Sequence, residues 1–511
     1  MSITEWLLFV LIIQVVHFAG TWRLYEIAGR KRWEAAVPVY NSIVLMQIIN
    51  RPKWWTILLF IPIVNLIMIP VVWVETARSF GKNSTADTLL VLFTLGFYLY
   101  YINYTQQVSY YPDRSLTPAS KAADTLSSLL FAIIVATLVH TYVMQPFTIP
   151  TSSLEKTLLI GDFLFVSKFH YGPRTPMTTV AAPMVHDTIP LAKVRSYSKW
   201  PQLPYFRFPG FEAVEKNDIV VFNWPVDTVQ KFFVKSPRVD KPIDKKSNYV
   251  KRCVGTPGDS LSVRDGYVYI NNKKLVLPER ARPQWSYVVK LDGKTAIDGN
   301  YLLKELEITD RTYEIGPNTY LFSAITDDAA ARLKNVPGVV SVDKALNRAT
   351  QTFGGNKDWN FDNFGPIYIP KAGATVALTP ETLPFYKKVI QEYEGHDLKI
   401  INGSIYIDGK KATSYTFAQN YYWMMGDNRH NSEDSRAWGY VPEDHIVGKP
   451  VFIWLSLDPN AGGFDKIRWE RLFTTVGGDG QPVSYFKIFL ILLAAYYVAD
   501  YFLKKRKKTN S

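Results

Sequence analysis

The sequence predicts a mainly β body held between apolar helices. Apolar runs of spanning length concentrate before residue 150 and recur once after residue 484. Between them, short runs of β-branched and aromatic residues are cut by Asp-Gly, Asn-Gly and Asn-Asn turn pairs. Basic residues gather beside the apolar runs rather than in one continuous patch.

At 511 residues the chain is too long for a single core. Its formal charge of +13 comes without zinc-finger spacing or an RNA-binding signature. The charge is therefore read as membrane flanks and solvated surface, and nucleic acid is not expected as a partner. The single cysteine, Cys253, excludes an internal disulfide and a cysteine metal cluster.

A spanning helix needs about 20 mostly apolar residues. Ile3–Trp22, Trp54–Val74, Leu126–Met144 and Tyr485–Leu503 meet that length, and Thr88–Tyr104 is a shorter, aromatic-rich fifth. Ala35–Ile49 carries Pro and Asn and is read as interfacial or re-entrant. The first segment has Glu5 where a cleavable signal would carry positive charge, so it is expected to stay attached. Arg23, Arg30, Lys31, Arg32, Arg51 and Lys53 place the 23–53 loop in the cytoplasm. Alternate crossing then puts residue 150 outside and returns the last span to a cytoplasmic Lys504–Lys508 tail.

The expected layout is a multi-span region over 1–125 and a helix over 126–147 that leads into the body. Two halves of a β core follow over 148–279 and 396–475, separated by an α+β insert over 280–395. A final helix covers 484–503, and a basic tail covers 504–511. Within the body, 259–275 and 396–417 share one pattern of alternation and turns. This reads either as a duplicated hairpin or as two hairpins obeying the same turn chemistry. Helical pieces are expected at Asp327–Leu333 and Thr379–Glu394 inside the insert.

The stretch PTSSLEKTLLIGDFLFVSK (150–168) raises the question of chemistry. A serine hydroxyl needs a base beside it to act as a nucleophile. Ser153 and Lys156 have Ser-x-x-Lys spacing, but that chemistry needs a helix, whereas Leu158, Ile160, Phe163, Phe165 and Val166 read as strand. No Lys-Thr-Gly triplet accompanies it, and no G-x-S-x-G serves a histidine triad. A polar turn feeding a strand is the plain alternative. The remaining reading pairs Ser153 with Lys251, on a β-like run where Tyr249 and Lys251 share one face and Val250 and Arg252 the other. Burial on a strand face would disfavour the ammonium and lower the lysine toward a usable base.

Four blocks carry a family resemblance in one order: PFTIPTSSLEKTLLIGDFLFVSKFHYG (146–172), NDIVVF (217–222), YVKRCVGTPGD (249–259) and GDNRHNSEDSRAWGYVPEDHIVGK (426–449). Together they resemble the type I signal peptidases, membrane-bound serine proteases with a Ser-Lys dyad. The resemblance implies a coiled antiparallel β domain. It also implies Ser153 as nucleophile, Lys251 as general base, and an oxyanion hole from the Ser153 N–H and the Thr151 hydroxyl. Ser432 matches the serine that orients the lysine. Asp434 and Arg436 match a bracing ion pair, with Arg252 nearby and Asp427 in the same turn. Lys156 becomes an incidental surface charge. The chain departs from the family's usual Ser-Gly-Ser-Met-x-Pro at Ser152, Leu154 and Lys156, which bears on fine specificity.

By the same resemblance the substrates are exported preproteins, cut after a small-x-small motif on the outer face of the cell membrane, without metal or cofactor. The strand 147–154 would lie beside the bilayer and pair with an extended substrate. Phe147, Ile149, Leu154, Leu158, Tyr249 and Val250 are the apolar candidates for its pockets. The lipid bilayer and the secretion machinery are further expected partners. An inactive, membrane-anchored relative that binds preproteins as an export scaffold is the alternative, since the extra spans and the insert suit such a role.

Overall fold

The computed structural model describes residues 2–118, 120–229, 237–295, 297–346 and 351–509. The chain divides into two units: Met1–Val143 with Pro173–Phe208 and Thr228–Lys246, and Met144–Gly172 with Pro209–Asp227 and Ser247–Ser511.

In the first unit, α1 (Ile3–Ile27), α2 (Tyr40–Ile48), α3 (Trp55–Leu58), α4 (Asn65–Ser79), α5 (Thr85–Phe93), α6 (Tyr98–Thr105) and α7 (Lys121–Leu138) follow in order. Ser2 and Ser84 cap α1 and α5 by accepting from the amides of Glu5 and Asp87. Leu24, Val44, Met46, Val72, Val91 and Ile102 join α1, α2, α4, α5 and α6 in one core. Among the described residues, three helical stretches are long and apolar enough to cross a membrane: Ile3–Ile27, Lys121–Val143 and Phe486–Lys505.

The single helix expected over Trp54–Val74 is corrected. The chain turns at residues 59–64, where Ile63 takes a positive φ of 70°, so α3 and α4 are separate helices. Farther along α4, Glu75 is buried against Arg51 and Arg114, each 2.7 Å away. Thr88–Tyr104 is a bent pair: α5 and α6 meet at 115°.

In the second unit, β1 (Met144–Thr148), β2 (Asp162–Ser167), β3 (Ile219–Asn223) and β4 (Asn248–Gly255) begin the body. The meander β5 (Ser260–Arg264), β6 (Tyr267–Ile270) and β7 (Lys273–Lys274) comes next. Then come β8 (Trp285–Leu291), β9 (Thr312–Gly316), β10 (Thr319–Ile325), α8 (Asp327–Leu333) and β11 (Val339–Lys344). They form a four-stranded sheet ordered β11-β8-β10-β9, with α8 packed on it around Val289, Phe322 and Leu333. β12 (Phe364–Tyr368) pairs instead with β5, and β13 (Thr375–Ala377) precedes α9 (Leu383–Lys388). The meander β14 (Leu398–Ile401), β15 (Ser404–Ile407) and β16 (Lys410–Lys411) leads to β17 (Ser414–Thr416), which pairs with β13. The range 280–395 thus contributes to two cores, the second shared with Leu261, Val268, Ile405 and Trp423.

β18 (Tyr421–Met425), α10 (Ser435–Trp438), β19 (Val441–Pro442), β20 (Ile446–Ser456), β21 (Thr474–Thr475) and α11 (Phe486–Thr509) complete the chain. Of the expected basic tail, residues 510 and 511 lie outside the described residues. The main sheet runs β1-β2-β20-β3-β4-β18-β19, antiparallel at each pairing, with β21 on β20. β20 pairs with β3 through its start and with β2 through the rest, with register shifts along the way, so the sheet curls around it. Both meanders turn on two successive residues of positive φ: Asp265 (48°) and Gly266 (82°) in one, Asn402 (49°) and Gly403 (75°) in the other. That is the geometry two-residue hairpins demand and the reason for Asp-Gly and Asn-Gly there.

Candidate active site

β1 ends at Thr148, so the strand expected to continue to residue 154 is a correction. Residues 151–158 form a tight turn instead, with amides of Glu155, Thr157 and Leu158 donating to carbonyls of Ser152 and Leu154. The cause is apolar anchoring. Ile149, Leu154 and Leu158 sink into a cluster with Leu164 of β2, Ile219 of β3 and Ile453 of β20. This anchoring holds Ser153 at the lip of the turn.

Lys251 stands in β4 opposite Val220 of β3. Its Nζ lies 2.7 Å from Ser153 Oγ, and both side chains are buried. Burial strips water from the amine and pushes its pKa down to about 8, with Arg436 adding to the fall and Asp434, Glu433 and Asp427 opposing it. Tyr249 shares the face, as alternation requires: its ring centroid is 5.4 Å from Lys251 Nζ, and it stacks on Trp224.

The turn that follows β18 clamps the serine. Asn428 donates from its amide to the Ser153 carbonyl (3.1 Å) and from Nδ2 to the Ser152 carbonyl (3.3 Å). Asn431 Nδ2 donates to Ser152 Oγ, and Thr157 Oγ1 to Asp427 Oδ2. On the opposite face of β4, Arg252 forks onto Asp427 through Nε (2.8 Å) and Nη2 (2.6 Å). Burial works to raise the Asp427 carboxyl, and Arg252, the Thr157 hydroxyl and Arg429 together outweigh it, so the net shift is downward. Asp434 holds Arg436 through two bonds of 2.8 Å and accepts from the Gly426 amide. Both pairs are essentially closed to solvent.

Ser432 is buried close by, and its Oγ has no hydrogen-bond partner among the described residues. A side chain at Gly426 would overlap both Ser432 Oγ and the Ser153 carbonyl. Thr151 is exposed, two residues before Ser153. Lys156 is not the incidental surface charge expected. It is half-buried at a φ of 70°, and its ammonium donates to the Glu307 carbonyl, away from Ser153. Of the pocket candidates, Ile149, Leu154 and Leu158 are core residues at 4%, 1% and 1% exposure, so they form no open wall. Phe147, Tyr249 and Val250 are half-buried. Gln284 is a residue the sequence did not reveal. Fully buried, it ties the serine turn to the 426–436 turn by donating from its amide to Asp427 and from Nε2 to Glu155, while accepting from Arg429.

Comparison with known proteins finds matches over much of the chain. Residues 122–322 and 412–455 match the signal peptidase, peptidase S26 family. Residues 33–113 match a family of unknown function (DUF5684). Signal peptidase I of Haemophilus influenzae is 25% identical over 372 residues, 71% of this chain and 78% of the relative. Signal peptidase I of Buchnera aphidicola subsp. Baizongia pistaciae is 24% identical over 69% of this chain and 84% of its own. That of Rickettsia typhi is 26% identical over 65% and 79%. Over residues 122–322 and 412–455 the chain is similar to the signal peptidase, peptidase S26 family, and to relatives named signal peptidase I over about two thirds of its length.

Proposed function

We propose that the protein removes signal peptides from exported preproteins, with Ser153 as nucleophile and Lys251 as general base. The observation that carries this reading is the buried 2.7 Å approach of Lys251 Nζ to Ser153 Oγ. An amine titrating near 8 is partly neutral at physiological pH and can accept a proton. Neutral Lys251 takes the Ser153 proton as Oγ bonds to the scissile carbonyl carbon. The Ser153 N–H and the Thr151 hydroxyl receive the oxyanion, a role worth roughly 3–4 kcal/mol per donor. The C–N bond then breaks, and the Lys251 ammonium returns its proton to the leaving amine. Water, losing a proton to Lys251, attacks the ester carbonyl; the C–Oγ bond breaks, and the Lys251 ammonium returns the proton to Ser153 Oγ. Ser432, without a partner among the described residues and in the same turn as Asp434, orients the amine. Asp434–Arg436 and Arg252–Asp427 brace the turn. Phe147, Tyr249 and Val250 are the candidate walls for the small side chains of the cleavage motif.

The membrane reading rests on the three long apolar helices. Counting the three long helices alone, with the basic 23–53 loop inside, α1 enters the cytoplasm, residues 28–120 stay there, and Lys121–Val143 returns outward. Residue 150 is then extracytoplasmic, the same side as with two additional spans. The test is incubation of the detergent-solubilised protein with a preprotein carrying Ala-x-Ala, followed by sequencing of the product's new N-terminus. Cleavage immediately after the second Ala supports the reading; an intact preprotein refutes it.

A further inference from the structure

A cavity of about 220 Å³ lies away from the dyad, between the first meander and the start of β8. Leu275, Leu277, Pro283 and Trp285 give it apolar walls, and Arg429 lines it. Arg429 is 2% exposed. Arg252 of β4 is paired with Asp427 and Arg436 with Asp434, while Arg429 feels both carboxylates through space but makes no ion pair of its own among the described residues. Its Nε is without a partner there, and Nη1 meets only Met425 Sδ at 3.8 Å. A buried, unpaired guanidinium is costly unless something supplies the missing acceptor.

The other charged groups at the cavity do not supply it. Asp327 also lines it, but its carboxylate is taken up by the hydroxyls of Tyr267 and Tyr287, each at 2.5 Å, and by Lys344 at 3.4 Å. Lys274 sits over the Tyr267 ring at 3.7 Å. Arg429, Lys274 and Lys344 thus stand against two carboxylates already engaged, Asp327 and, behind Gly266, Asp362, which is bonded to His430. A planar guanidinium above apolar walls suits a carboxylate on a hydrocarbon body, because the fork accepts two oxygens side by side. An apolar cavity of roughly 150 Å³ admits benzene, so this one admits a phenyl ring with its acid arm.

We propose that this cavity binds an apolar carboxylate, its oxygens on Arg429 and its hydrocarbon body against Leu277, Pro283 and Trp285. The site is separate from Ser153 and does not depend on the proteolytic reading. The same chemistry is offered by a free small acid and by the C-terminus of a peptide.

The test is calorimetric titration of the full chain in detergent with phenylacetate and with phenylacetamide. Phenylacetate is expected to bind at least tenfold more tightly than the amide. Arg429→Gln should lose the difference. Leu277→Trp, which fills the cavity and leaves the arginine in place, should abolish phenylacetate binding while preprotein cleavage is retained. Equal binding of acid and amide, no binding of phenylacetate at millimolar concentration, or undiminished binding by Leu277→Trp each overturns the proposal. In competition, displacement of phenylacetate by an acetylated tripeptide acid, but not by its amide, identifies a peptide C-terminus as the source. Displacement by neither, with phenylacetate still bound, identifies a free acid.

Discussion

Lys251 Nζ and Ser153 Oγ stand 2.7 Å apart although 98 positions separate them in the chain. Two constructions bring them together: a serine turn pinned by Ile149, Leu154 and Leu158, and a lysine set on β4 between β3 and β18. Ser153→Ala and Lys251→Met are each expected to lower cleavage by at least about a thousandfold, within reach of what nucleophile and general-base removal cost. Lys156→Ala should retain activity within a few-fold, since its ammonium is turned to Glu307. Initial rates on a purified preprotein check all three.

The rate should rise with pH through about 8, because the neutral amine is the active form and burial has brought Lys251 down to that value. A profile of kcat/KM from pH 6 to 10 tests this. A rate flat across the range would assign the base elsewhere.

The same burial weakens the fold. Between about 8 and 10.5 the folded lysine is neutral while the unfolded one still binds a proton, so stability rises with pH across that window. Below about 8 the full penalty stands, on the order of 3 kcal/mol from the size of the shift. Lys251→Met should therefore unfold several degrees higher than the parent at pH 7, with the advantage shrinking above pH 8. Thermal melts of the detergent-solubilised chain at both pH values measure it.

Gly426→Ala should cut activity by about a hundredfold or more, because the added carbon displaces either Ser432 Oγ or the Ser153 carbonyl. A KM close to the parent's alongside the lower kcat would mark loss of geometry at the nucleophile rather than loss of substrate binding.

Asp427→Asn leaves Arg252 buried without its counter-charge and should destabilise the fold by about 3–5 kcal/mol. The double variant Asp427→Asn with Arg252→Met should recover part of that loss in the same melts, since the unpaired charge is gone.

Local chemistry was legible in the sequence wherever one turn or one period decided the outcome. Asp265-Gly266 and Asn402-Gly403 announced their hairpins, and Asp327–Leu333 its helix, because turn and helix-start preferences act over a few residues. The Ser153–Lys251 pair was legible only through the order of four blocks; spacing alone left four readings open. Hydropathy could not show that residues 59–64 break the helix, since a turn at Ile63 has the same composition as a span. Nor could it show that Leu154 and Leu158 would pull the serine segment out of strand and into a turn, which depends on distant Ile219 and Ile453. Gln284 was silent because its role is set by two turns that meet only in the fold.

The most direct measurement is the intact mass, and then the peptide map, of the solubilised protein after exposure to a signal-peptide-like acylating inhibitor. A single adduct on the peptide carrying Ser153 is expected, absent in Ser153→Ala and lost in Lys251→Met at pH 8. No adduct on the parent chain, or an adduct that persists when Ser153 is replaced, would contradict the assignment of Ser153 and Lys251 as the reacting pair.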